Sequence, residues 1–267
     1  EFKNTKKFEE AIAEFTGSKH CIAVNNGTIS LTLAALALGI KPGDEVLVPN
    51  FTMVATPNSI KMIGAHPIFI DVEPDTLCID LDEIKRNLTP KTKAIMLVSA
   101  NGRYPKTDIS EYLNFAKENN LEIIEDAAQS LGSYFEKDSH IGLQGAIGSF
   151  SFSMPKIITT GQGGALVTNN EELAYKLRKL KDFGRTAGGS DIHDSIGYNS
   201  KFTEMQAVIG LEQIKKLDFR IERKKEIWKR YKDNLQAIEQ ISLFNHNLDL
   251  TVPWFIDSLC EDRENLS

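Results

Sequence analysis

At 267 residues, with 41% hydrophobic and 25% charged residues, the chain has the composition of a globular protein long enough to bury a large core, which excludes disorder as its default state. Lys and Arg number 31 against 37 Asp and Glu, for a formal charge of −6; this argues against a nucleic-acid binder, because neutralising phosphates takes a basic face. Cys21, Cys78 and Cys260 are far apart with no CxxC or Cys/His spacing, and the five histidines show no i, i+4 pairing, so neither a disulfide framework nor a metal site is expected.

A reducing cytosol fits that cysteine usage. No apolar run approaches the ~20 residues that span a bilayer, and no signal-peptide pattern opens the chain. The expectation is a cytoplasmic protein with no nucleic-acid or membrane partner.

The chain opens inside a helical pattern, Phe8 to Phe15, stopped by Gly17 as a C-terminal cap; a further segment upstream is expected. A β-rich run from Cys21 to Val24 leads through Asn25-Asn26-Gly27-Thr28 into an apolar helix from Ser30 to Leu38. Strand-like Glu45 to Val48, helical Thr52 to Met62 and strand-like Pro67 to Val72 repeat the alternation. Leu81 to Asn87 reads as a short helix, Lys93 to Val98 as a buried strand, Ile109 to Asn119 as an amphipathic helix and Glu122 to Asp126 as a strand. Strands at 148–153 and 164–168 follow, then a helix over 171–183, a polar glycine-rich loop over 184–200 and a mostly helical stretch over 204–234. Short apolar strands alternating with helices predict an α/β protein whose mainly parallel sheet is covered on both faces. Ligands of such sheets bind beyond the carboxyl ends of the strands.

Three pieces could carry chemistry. Asp126 ends an apolar strand, where a carboxylate can meet a buried cation such as a pyridinium nitrogen; followed by Ala127-Ala128, it equally suits a helix N-cap. Lys156 sits between the Ser/Phe strand 149–153 and a glycine-rich turn; a loop lysine is ordinarily solvated, yet Ser151 and Ser153 share a strand face beside it and could bind an anion. Asn26-Gly27-Thr28 stands at a strand-to-helix junction, where free N–H groups and the helix dipole favour a phosphate, or where Thr28 simply caps an ordinary turn. No GxxxxGK[ST] or GxGxxG is present, which counts against nucleoside-triphosphate and dinucleotide binding.

In order, the chain carries Asn-Gly-Thr at 26–28, Ile-Glu-Asp-Ala-Ala-Gln at 124–129, a run from Ser151 to Gly164 that reads Ser-Phe-Ser-Met-Pro-Lys-(x)3-Thr-Gly-Gln-Gly-Gly, and Gly-Tyr-Asn-Ser-Lys-Phe-Thr-Glu-Met-Gln-Ala at 197–207. With these four motifs the sequence resembles, over nearly all its length, the DegT/DnrJ/EryC1/StrS family of pyridoxal-phosphate (PLP) sugar aminotransferases. The resemblance implies a PLP type I, aspartate-aminotransferase-like fold with a seven-stranded sheet. It implies a large PLP-binding domain over 1–220, a connecting helix over 221–240 and the start of a small, incomplete C-terminal domain over 241–267, opened by a strand at Val252 to Asp257. It makes Lys156 the Schiff-base lysine and Asp126 the partner of the ring nitrogen. Gln129 would lie against the cofactor ring, while Gly27, Thr28 and Ser151 would hold its phosphate. Asn199 would reach the phosphate of a neighbouring subunit's cofactor, which implies a homodimer with shared active sites.

Two positions depart from the family pattern. Met53 stands where relatives place an aromatic ring over the cofactor; a thioether can also cover an aromatic face. Ser99-Ala100-Asn101-Gly102-Arg103-Tyr104-Pro105 replaces the usual His-Leu-Tyr-Gly segment, and its Arg103 suits either a substrate anion or a surface acid. The implied reaction moves an amino group from L-glutamate to a keto carbon of a nucleotide-linked sugar, most often C4 of a 4-keto-6-deoxyhexose, with Lys156 as the proton carrier. A cyclitol or other keto acceptor, and a noncatalytic PLP- or sugar-nucleotide-binding regulator, are the alternatives. Family members that are dehydratases have histidine in place of the lysine, and Lys156 argues against that activity.

Overall fold

Strand and helix alternate along the chain as the apolar runs require, in a computed structural model that describes residues 2–187 and 190–262. Helix α1 (Lys3–Thr16) precedes β1 (His20–Val24), α2 (Gly27–Ala37), β2 (Glu45–Pro49), α3 (Ala55–Lys61) and β3 (His66–Ile70). Next come α4 (Leu81–Arg86), β4 (Thr92–Val98), α5 (Ile109–Glu118) and β5 (Glu122–Asp126). A small hairpin of β6 (Tyr134–Glu136) and β7 (Ser139–His140) leads to β8 (Ile147–Ser151), β9 (Gly164–Thr168), α6 (Glu171–Lys181), α7 (Glu204–Ile214) and α8 (Leu217–Leu235). A second hairpin pairs β10 (Ile241–Leu243) with β11 (Ser258–Cys260). Residues 188–189 of the expected loop and 263–267 of the expected C-terminal unit lie outside the described residues.

Seven strands form the central sheet in the order β1-β9-β8-β5-β4-β2-β3. The pairings β8-β5, β5-β4, β4-β2 and β2-β3 are parallel, while β9 runs antiparallel to both its neighbours. The mainly parallel α/β sheet expected from the sequence is therefore present. Because side chains alternate along a strand, Val46, Val48, Ala94, Met96 and Ile124 pack into one core with residues of α2 and α6. Leu47, Ile95, Leu97 and Ile123 face the other way, with Ile84 of α4 and Tyr112 of α5. Farther along that second face, Phe8 of α1 meets Phe152 edge-on and stacks on Phe202. A Cβ on Gly210 of α7 would come within 2.6 Å of the Phe8 ring, so glycine there lets α1 and α7 close on each other.

Gly17 ends α1 with φ 78° and donates its N–H to Ala13 O, as the sequence predicts. Several element bounds differ from expectation, as in α3, which starts at Ala55 instead of Thr52. Helix α2 starts at Gly27 instead of Ser30, because Asn26 caps it by accepting the Ile29 N–H at 2.9 Å. The expected mostly helical stretch over 204–234 is present, as two helices separated at Lys215 and Lys216. Residues 252–257 are not a strand: Val252 N–H donates to Ser133 Oγ and Trp254 N–H to Asn101 O, so their donors leave no ladder to build. The strand of that region is β11, which starts at Ser258 instead of the expected Val252. No helix of the described residues is long and apolar enough to cross a membrane.

Candidate active site

The parallel strands end on a cavity of about 840 Å³ that Gly27, Thr28, Met53, Asp126, Gln129, Ser151 and Lys156 all line. It lies where an open α/β sheet presents its ligand crevice, beyond the carboxyl ends of the strands. Residues more than a hundred positions apart reach it because β1, β5 and β8 all deliver their carboxyl ends to it.

One wall is the β1–α2 junction. The first N–H groups of a helix have no intrahelical acceptor, so those of Gly27 and Thr28 head α2 free for an anion, in the field of the helix dipole. Ser151 ends β8 against them: a Cβ on Gly27 would stand 2.9 Å from Ser151 Cβ. On the far side, a Cβ on Gly164 would lie 2.6 Å from Asn26 C and O. Only glycine at 27 and 164 lets the three segments close this tightly. Ser153 also lines the cavity, with its Oγ 3.4 Å from Ser151 Oγ. Backbone amides and two hydroxyls with no fixed cation make a cradle of the kind that suits a phosphate.

Asp126 ends β5 in the middle of the sheet and is 6% exposed. Thr56 Oγ1 donates to its Oδ2 at 2.7 Å and Ala128 N–H to its Oδ1 at 3.2 Å; Thr52 and Thr56 hydroxyls are themselves 2.8 Å apart. Burial raises the Asp126 pKa above the ordinary aspartate value, against the lowering effect of Thr56, Ala128 and the charge of Lys156. A buried carboxylate with spare acceptor capacity facing a cavity is a receptor for a cation. The helix-cap alternative does not describe it, since its Ala128 bond starts a turn and no α-helix.

Lys156 sits on the loop that leaves β8. Phe152 N–H to Gly163 O and Thr160 N–H to Phe152 O, both 2.9 Å, pinch the loop at its base, and Arg220 of α8 donates to Ile157 O at 2.8 Å. Burial lowers the amine's pKa to about 8, opposed by the Asp126 charge. Such an amine is partly neutral near physiological pH and so nucleophilic. Its Nζ lies 3.8 Å from the centre of the Trp254 ring.

Gln129 is held in place, its Oε1 accepting the Asn101 N–H at 2.6 Å. Met53 stands at the mouth, 64% exposed. Asn199 does not line the cavity; it is exposed and bridges to Asp182. Arg103 is 3% exposed and is paired with an acid of its own chain: it forks onto Asp257 at 2.7 and 2.8 Å, donates to Thr76 O and stacks on Phe244. Sequence reasoning missed Thr56 and Trp254. A Thr-x3-Thr spacing over 52–56 was the only trace of the first; the second lies 99 positions from the carbonyl that its indole N–H binds. Among the described residues no group of three or more His, Cys, Asp or Glu could hold a metal ion.

The residues fit PLP. The amide and hydroxyl cradle suits its phosphate, the buried carboxylate its pyridinium nitrogen, and the lowered-pKa lysine its aldehyde.

Comparison with known proteins agrees. GDP-perosamine synthase of Escherichia coli O157:H7 is 40% identical over 264 residues, covering 98% of this chain and 71% of that protein. The chain spans 62% and 64% of two further GDP-perosamine synthases, from Caulobacter vibrioides and Vibrio cholerae. DesV of S. venezuelae superposes with a TM-score of 0.90 at 32% identity, over 98% of this chain and 70% of its own. NtdA of Bacillus subtilis, solved with bound pyridoxamine phosphate, gives 0.84 at 32% identity, over 92% and 56%. The description of one family matches residues 2–264, and the chain belongs to it: the DegT/DnrJ/EryC1/StrS aminotransferase family.

Proposed function

We propose that the protein is a PLP-dependent aminotransferase that takes an amino group from L-glutamate and delivers it to C4 of a nucleotide-linked 4-keto-6-deoxyhexose. The observation that carries this reading is the joint lining of one cavity by Lys156, Asp126 and the Gly27-Thr28-Ser151 cradle. A GDP-linked sugar is the first acceptor to try: three relatives are named GDP-perosamine synthase, and one solved neighbour, a GDP-4-keto-6-deoxymannose-3-dehydratase, was captured with GDP-perosamine.

PLP supplies an electron sink that stabilises negative charge on the carbon being aminated or deaminated. The chain supplies the rest. Amides of Gly27 and Thr28 and the Ser151 hydroxyl anchor the phosphate end. Asp126, steadied by Thr56, holds a proton on the ring nitrogen by offering it a buried counter-charge. Gln129, its amide oxygen fixed by the Asn101 N–H, would lie against the ring, and Met53 would cover it from the mouth. Lys156 would hold the cofactor through its amine and, when free, would accept and return the proton that transamination moves; a pKa near 8 suits both directions of transfer.

Asn199 acts across a homodimer in this reading. It is exposed at the end of the polar loop, where a second subunit can bring its own cofactor phosphate within reach. The large domain covers 1–220, a connecting helix covers 221–240, and 241–267 belong to a smaller C-terminal unit. The protein works in the cytoplasm, where nucleotide sugars and glutamate are available.

The test is full-length protein with PLP and glutamate, assayed against a panel of nucleotide-linked 3-keto and 4-keto sugars. Glutamate converts the cofactor to its pyridoxamine form, and the 4-keto sugars regenerate it. Lys156→Ala removes both the visible band of lysine-bound cofactor and turnover; retention of either sinks the assignment. Conversion by glutamate with no acceptor among the keto sugars turns the reading to a cyclitol or other ketone.

A further inference from the structure

The segment after α8 crosses the cavity and sets one aromatic ring against the lysine. Trp254 and Phe255 both line the cavity, their rings 3.9 Å apart. Three polar bonds fix Trp254: its N–H donates to Asn101 O at 3.0 Å, its carbonyl accepts from Lys224 Nζ at 2.6 Å, and its indole N–H donates to Pro155 O at 2.9 Å. The last bond reaches the residue immediately before Lys156. Three positions on, Asp257 is clamped by Arg103 and by the Asn101 amide. The indole face thus has a fixed place, and the Lys156 ammonium lies 3.8 Å from its centre, well inside the range of a cation–π contact.

We propose that Trp254 is a positioning residue for Lys156: the indole N–H steadies the lysine loop, and the indole face receives the free ammonium whenever the amine is not bonded to cofactor. The inference rests on Lys156 being the cofactor lysine. A lysine that alternates between bonded and free states needs a second resting place inside a dry site, or it swings to solvent and must be recaptured in every cycle. An aromatic face supplies one with no counter-ion, so nothing competes with Asp126 for the ring nitrogen. The ring also favours the charged amine and so opposes the effect of burial.

The test uses full-length protein freed of cofactor by conversion to the pyridoxamine form and dialysis. PLP capture is then followed as growth of the visible band across pH, for wild type, Trp254→Leu and Trp254→Phe. Leucine keeps apolar bulk but no π face. The expected result is an acid shift of about half to one pH unit in the capture midpoint and a plateau rate several-fold lower. Phenylalanine, which keeps a ring, restores the midpoint while the plateau stays reduced for want of the N–H to Pro155. An unmoved midpoint in Trp254→Leu overturns the proposal, as does equal behaviour of the two variants, which would make the ring mere filling. No band in wild type, or a band in Lys156→Ala, strikes the functional reading itself, and is a result distinct from failure at Trp254.

Discussion

Glu125 and Asp126 are consecutive carboxylates on β5, 1% and 6% exposed, yet the two faces of the strand use them for opposite ends. On one face Glu125 Oε1 accepts N–H groups from Gln144 and Gly145, both at 2.6 Å, and Oε2 accepts that of Gly142 at 2.7 Å. Burial raises its pKa, with those three bonds acting against the rise. On the other face Asp126 has one hydroxyl, one amide and an open cavity. Equal burial therefore does not make equal roles. A carboxylate whose acceptor sites are taken by backbone is a fastener for the 142–145 loop, whereas one with acceptor sites to spare is a place for a cation.

The sharpest way to break that contrast is to neutralise each acid with its isostere. Asp126→Asn should lower kcat by roughly 10²–10³-fold, the scale of losing one preorganised electrostatic partner, while thermal unfolding stays near that of wild type. Near-normal turnover would show that the cavity-side carboxylate is not the ring-nitrogen partner. Glu125→Gln should do the reverse. Its amide NH₂ must face at least one N–H donor, so denaturant unfolding should report a loss of about 3 kcal/mol, with kcat per folded molecule almost unchanged. Comparable turnover losses in the two variants would erase the distinction.

The region behind Glu125 has a pH handle as well. His140, fully buried, accepts the Gly132 N–H on Nε2 at 3.0 Å, so its Nδ1 carries the proton and donates to Ile141 O at 2.5 Å. Burial lowers its pKa to about 4. Between that value and the ordinary ~6.5 the unfolded chain binds a proton that the folded one refuses, so stability falls as pH falls through this window. His140 should contribute about 2 kcal/mol of that loss at pH 5 relative to pH 8, and His140→Gln should remove that share of the slope while the similarly lowered His246 keeps its own. A profile as steep in the variant would assign the acid sensitivity elsewhere.

How much of this was legible in the sequence follows from how local each cause is. Asp126 and Lys156 stood out as candidates because each ends or follows a strand, and strand ends in an α/β sheet converge; their roles came from the resemblance of the four motifs. Gly27, Thr28 and Ser151 meet for the same reason. Glu125 could not be told from its neighbour, since the donors that claim it arrive from a loop 17 to 20 positions on. Arg103 was open between substrate and a surface acid because its partner, Asp257, is 154 positions away. Trp254 was hidden because the resemblance implied a strand over 252–257, whereas the backbone donors of Val252 and Trp254 go to Ser133 and Asn101.

The finest test concerns how Asp126 is tuned. Thr56→Val keeps shape but removes the hydroxyl that donates to Asp126 Oδ2 at 2.7 Å and meets Thr52 at 2.8 Å. The hydroxyl's bonds to Asp126 and Thr52 are lost together, so the stability cost should be about 1–2 kcal/mol and the drop in kcat only a few-fold. The direction of the pH effect is more telling than its size. The lost donor had stabilised the carboxylate, so its removal raises the Asp126 pKa further, and the acid limb of kcat/KM against pH should move to higher pH. Glu125→Gln, on the opposite face, should leave that limb where it is. Should Thr56→Val also leave it in place, the threonine would only be filling space, and the cavity-side carboxylate would owe its charge to the bound cation alone.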